Sequence, residues 1–132
     1  MDHESGRTSE AAIVVFEKRP RWTPELQRQF HGENVIVRSC RSVAAIASVS
    51  DVPAVAVIVL SLDAAPADVL RFLENRSRRG DGLAIIVVAS ARWGELEWRI
   101  RELGATDFIV EPVAGDDMAR MCRRQWQLAA SI

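Results

Sequence analysis

Five short stretches of the chain are apolar almost throughout: AAIVVF (Ala11–Phe16), NVIV (Asn34–Val37), AVAVIVL (Ala54–Leu60), LAIIVVA (Leu83–Ala89) and DFIV (Asp107–Val110). They do not alternate apolar and polar residues, so each predicts a strand covered on both faces, as in a parallel sheet. Between them the apolar spacing changes to three and four. Trp22-Thr23-Pro24-Glu25 predicts a helix start, with Thr23 as N-cap, Pro24 in the first helical position, and Leu26 and Phe30 facing the sheet. Ser42–Val49 predicts a second, small helix. Pro66–Arg78 predicts a third, with Val69, Phe72, Leu73 and Arg76 on one face and Gly80 and Gly82 after it. Ala91–Leu103, closed by Gly104, predicts a fourth. Asp116–Leu128 predicts a fifth, its two leading aspartates suiting the positive end of the helix dipole.

Strand and helix thus alternate five times with short connections. The pattern predicts an α/β three-layer sandwich around a parallel sheet with right-handed crossovers. A polar lead over residues 1–10 is read as disordered, residues 11–128 as one domain, and 129–132 as a tail. The length of 132 residues fits one domain with its own core.

Composition narrows the classes. Apolar residues make up 48 % and charged residues 27 %, with net charge -1, so no global field draws the chain to nucleic acid or to an acidic membrane. No apolar run is long enough to span a bilayer, and MDHESGRTSE has no signal-peptide pattern. Cytoplasmic placement is expected. Cys40 and Cys122 have neither disulfide-scaffold nor zinc spacing and read as small apolar fillers. The two histidines, His3 and His31, lie far apart in sequence and suggest no catalytic set.

In parallel sheets of this kind, ligands bind beyond the carboxyl ends of the strands. The residues there are Phe16, Glu17 and Lys18; Ser61 and Asp63; Ala89 and Ser90; and Glu111, which precedes Pro112. A nucleotide-binding enzyme would need glycines in the first turn, which reads FEKRPRW. No phosphate-binding loop motif and no GxSxG elbow occurs. A small α/β enzyme is the less favoured alternative.

The segment ELGATDFIVEP, followed by the helix MARMCRRQ, resembles the end of a response-regulator receiver domain, which typically reads LGA-x-D-[YF]-hydrophobic-x-K-P. The resemblance extends in pattern and length from Ala11 to Gln127. It implies a flavodoxin-like sheet in the order 2-1-3-4-5. A working receiver takes a phosphoryl group on an aspartate after the third strand and holds Mg²⁺ with acidic residues after the first. It contacts the phosphoryl group with a hydroxyl after the fourth strand and a lysine after the fifth. Transferred to this chain, the acidic pair falls on Phe16 and Glu17. The acceptor falls near Val59–Ser61, where there is no carboxylate, and Asp63 lies a little further on. The hydroxyl falls on Ala89, beside Ser90, and the lysine on Glu111. An anion in place of that lysine opposes a phosphoryl group by about 4 kcal/mol at 4 Å and an effective dielectric of 20.

The resemblance therefore implies a degenerate receiver of two-component signalling: an interaction module with no catalytic residues and no required cofactor, docking on a protein such as a histidine kinase, an output domain or a second copy. Two other readings use the same residues. Glu17, Asp63 and Glu111 could hold Mg²⁺ or another dication as a carboxylate cluster, or Asp63 could serve as a displaced phosphoacceptor beside Glu17. For Glu111 alone, an ion pair with Lys18 or Arg19 is the simplest role.

The docking surface expected from the pattern is on the last two helices. Trp93, Leu96, Ile100 and Leu103 form the inward stripe, and Trp98 lies about 200° from Leu96 and Ile100, on the outer face. Trp98, Arg99, Arg101 and Glu102, with Arg120, Arg123 and Arg124, are the expected partner surface, together with Phe108, which the resemblance places at the receiver's switch aromatic. Arginine clusters at 76–79 and 123–124 are interspersed with acids, so nucleic acid is not an expected partner.

Overall fold

The computed structural model describes residues 11–46, 55–77 and 83–130. Its strands are β1 (Ala11–Phe16), β2 (Val35–Cys40), β3 (Val55–Ser61), β4 (Ala84–Ala89) and β5 (Asp107–Val110). All pair in parallel, in the order β2-β1-β3-β4-β5. The predicted architecture and strand order are therefore those observed. The helices are α1 (Trp22–Gln29), α2 (Pro66–Ser77), α3 (Glu97–Glu102) and α4 (Gly115–Ala130). Residues 44–46 begin the predicted second helix, whose remainder lies outside the described residues, as do Arg78, Arg79, Gly80, Gly82 and His3.

Side-chain parity explains why the strands are apolar throughout. Successive residues point to opposite faces, and both faces of β1, β3 and β4 are covered; the edge strands β2 and β5 depart from the expectation, leaving Ile36 and Val110 exposed. Val14 and Phe16, Ile58 and Leu60, Ile85 and Val87 enter one core with α2, α3 and the turns beside them. Ile13 and Val15, Val57 and Val59, Ile86 and Val88 enter the other with α1 and α4. β1 lies between two neighbours and is buried along its whole length. β2 is an edge strand, and its Ile36 is one of the exposed large apolar residues.

Leu26, Phe30, Val69, Leu73 and Ile100 are buried on the faces the spacing predicts. Phe72 is partly buried, and the Arg76 guanidinium lies 5.5 Å from its ring centre. Trp126 packs on Phe30 with ring centres 5.4 Å apart. Cys40 and Cys122 are both buried as expected, and burial pushes the Cys122 thiol up to about 12.

Two helix starts differ from expectation. The predicted helix Ala91–Leu103 is a 3-10 segment over Ala91–Leu96 followed by α3. Gly94 stands in that first part, and glycine is a poor α-helix former. Gly104 ends α3 with φ +108°, a conformation glycine adopts without strain. Thr23 is not the N-cap of α1. The helix begins at Trp22, and the Arg21 side chain in the N-cap position makes no capping hydrogen bond. The capping acceptor comes instead from the end of β1.

Candidate functional site

The carboxyl ends of β1, β3 and β5 frame a cleft of about 360 Å³. Its charged lining is Lys18, Arg19 and Arg21 against Glu17, Asp63 and Glu111, three cations and three carboxylates. Ser61, from the end of β3, also lines it. The residues marked by the sequence are thus brought together, except that Phe16 and Ala89 are buried in the core.

Each carboxylate already has protein partners. Glu17 is only 6 % exposed and accepts three backbone N–H groups at the start of α1. Trp22 donates to Oε1 at 2.9 Å; Arg21 and Thr23 donate to Oε2 at 3.1 and 2.9 Å. The first N–H groups of any helix lack intrahelical acceptors, and here one carboxylate serves three of them. The cap lies six residues before Thr23 because the loop after β1 folds back over the helix start. Local spacing rules look for caps next to the helix, so they selected Thr23 instead.

Asp63 is held by one residue across the sheet edge. The backbone N–H of Ser90 donates to Oδ1 at 2.9 Å and its hydroxyl to Oδ2 at 2.7 Å. Partial burial disfavours the charged carboxylate, but the Ser90 donors, with the nearby Trp93 side chain and the Arg92 charge, outweigh it and hold the Asp63 carboxyl below the usual aspartate range. Leu62, between Ser61 and Asp63, is fully buried.

Glu111 faces the first loop. Arg21 Nε approaches its Oε2 at 3.0 Å, and the Trp22 indole N–H donates to the same oxygen at 3.3 Å. The Arg21 guanidinium also lies 4.9 Å from the Trp22 ring centre. The ion pair expected for Glu111 is therefore present, but with Arg21 in place of Lys18 or Arg19.

The three carboxylates of the cation-site reading are already engaged by protein donors. Glu17, Asp63 and Glu111 border one cleft but spend their oxygens on different donors, and no three acidic, histidine or cysteine side chains among the described residues are grouped to hold a metal. Mg²⁺ wants hard oxygens free to coordinate.

Most of the side chains expected at the partner surface are solvent-exposed. Trp98 is 65 % exposed, and Arg99, Arg101, Glu102, Arg120 and Arg124 are exposed; Arg123 is half-buried. Phe108 is the exception. It is only 6 % exposed, because its position in β5 points it into the core on the α3 side. Val110, two residues on at the sheet edge, is exposed instead. Most of the arginines carry acidic partners: Arg99 with Glu74, Arg101 with Glu97 and Asp107, Arg120 with Asp117, and Arg123 with Glu33.

No protein-family description matches the chain, and no curated protein does. Solved structures do. The receiver domain of the TMAO respiratory system response regulator TorR superposes with a TM-score of 0.74 at 22 % identity, covering 89 % of this chain and 98 % of that one. The Francisella response regulator 1452 receiver domain gives 0.77 at 11 % identity, with 91 % and 99 % covered. Full-length FixJ from B. japonicum gives 0.74 at 18 % identity, with 92 % of this chain matching 61 % of that longer one. The chain has the fold of a response-regulator receiver domain, over nearly its whole length.

Proposed function

We propose that this chain is a receiver-like interaction module of two-component signalling that works without phosphorylation of an aspartate. The observation that carries this reading is the contact of Glu111 with Arg21 and Trp22. In the receiver pattern a lysine after the fifth strand contacts the phosphoryl group. Here the polarity is reversed: the fifth strand supplies the anion, and the loop after the first supplies the cation. The cleft balances three positive against three negative side chains, so it has no excess charge with which to hold either a dication or a phosphoryl dianion. Catalysis of phosphoryl transfer rests on such preorganised charge. The buried Leu62 beside Asp63 and the double engagement of Asp63 by Ser90 support the same reading.

With that chemistry gone, the function left to the fold is docking. The face around α3, the end of β5 and the exposed side of α4 presents Trp98 and Val110 amid Arg99, Arg101, Glu102, Arg120 and Arg124. Tryptophan is a favoured interface anchor. Its partner is a second copy, an output domain or a kinase domain of the same signalling class.

The test is treatment with acetyl phosphate and Mg²⁺, followed by intact mass and size-exclusion chromatography. Unmodified mass and unchanged elution are expected. A stoichiometric phosphoryl adduct that maps to Asp63 sinks the reading and installs the displaced-acceptor alternative.

A further inference from the structure

A second cleft lies beside the first, over the other side of the β1 end, and its charge is not balanced. It has a volume of about 240 Å³. Its walls are the first turns of α1 (Thr23, Gln27), the end of the edge strand β2 (Ser39) and Arg41 just beyond it, with Glu17 and Lys18 between them. Parity puts Ser39 on the α1 side of β2, the side on which Val35 and Val37 join the core beneath α1. We infer that this cleft binds a phosphoryl group, free or as a monoester of a small molecule, at a place distinct from the receiver cleft.

Three observations support this. Lys18 and Arg41 are both exposed, and neither has an acidic partner among the described residues, whereas at least seven of the other twelve described arginines have one. Lys18 is also the single lysine, a compact point charge beside the planar fork of Arg41, a combination suited to an oxoanion. Among the described residues the only carboxylate lining this cleft is Glu17, whose oxygens are occupied by three N–H donors, so its charge opposes an anion less than a free carboxylate would. Finally, the Thr23 hydroxyl is buried without a hydrogen-bond partner, which is uncommon for a buried polar group. Threonine in a helix divides between two χ1 wells, so this hydroxyl has a second orientation available, and Ser39 supplies another donor.

The inference does not depend on how the receiver cleft is read, because the two clefts share only Glu17 and Lys18 as lining. The experiment is an amide NMR titration of the whole chain with inorganic phosphate and, separately, with glycerol phosphate, the ionic strength being held constant with sodium chloride. Saturable shifts centred on Lys18, Thr23, Ser39 and Arg41 are expected. Arg41→Gln and Lys18→Gln should each weaken binding about tenfold, equivalent to about 1.4 kcal/mol, and Thr23→Val should weaken it less. Arg19→Gln, which lines only the receiver cleft, should leave it unchanged. The tighter of the two ligands identifies whether the group arrives free or esterified. Linear shifts with both ligands, or shifts insensitive to Arg41→Gln, overturn the site. Loss of binding on Arg19→Gln with none on Arg41→Gln also overturns it and moves the anion to the first cleft.

Discussion

Replacing Glu17 by alanine removes the one acceptor shared by Arg21, Trp22 and Thr23. Arg21 is exposed, so water can reach its N–H. The amides of Trp22 and Thr23 belong to buried residues and lose their acceptor in a place where water enters poorly. A buried donor left unmade costs about 1–3 kcal/mol, while N-cap replacements cost about 0.5–2 kcal/mol. With two such donors, partly relieved by relaxation of the first turn, the expected loss is about 3 kcal/mol. For a domain of this size that lowers Tm by roughly 10 °C. Glu17→Gln keeps one oxygen but turns an NH₂ group toward at least one of the three donors, so about half the loss is expected. Urea unfolding followed by circular dichroism gives the free energies, and amide exchange at Trp22 and Thr23 gives the local effect. A change under 0.5 kcal/mol with unaltered exchange at those two amides would refute the capping role. So would a Mg²⁺-dependent rise in Tm that Glu17→Ala abolishes, since that makes Glu17 a metal ligand.

The depressed titration of Asp63 sets a second expectation. A group whose native value lies below its unfolded one contributes stability above the ordinary aspartate range, about 3.9, and that contribution disappears as pH falls through the lower native value. The Ser90 amide signal should therefore titrate below that range, and Ser90→Ala, which keeps the backbone N–H but removes the hydroxyl, should move the Asp63 midpoint part of the way upward; an unmoved midpoint would show that the Ser90 hydroxyl is not a cause. Trp98→Ala should alter stability by less than about 0.5 kcal/mol, because the side chain is 65 % exposed, yet weaken self-association or partner capture. Unchanged behaviour in ultracentrifugation and pull-down removes Trp98 from the docking face. Cys122, with its thiol raised to about 12, should resist alkylation in the native protein and react only on unfolding; rapid native labelling at Cys122 would contradict its burial.

The sequence by itself determined the layers and their order. The three central apolar runs can be satisfied only when both faces of each strand are covered, as β1, β3 and β4 are, on one side by α1 and α4 and on the other by α2 and α3. It also determined that Trp98 would face outward, because helical period alone sets that angle. It placed Glu17, Asp63 and Glu111 at one end of the sheet, because residues that follow parallel strands share an edge. Only the tertiary structure decided what those carboxylates do. Glu17 caps α1 across six residues, Asp63 joins Ser90 across 27, and Glu111 meets Arg21 and Trp22 across 90 and 89. Hydrogen bonds and ion pairs act within about 3 Å, and sequence spacing carries no information about such distances once a sheet lies between the partners. For the same reason the burial of Phe108 was not legible: a four-residue edge strand has too few positions for its inward face to be read from pattern, and only its packing against the α3 side settled which way the ring points.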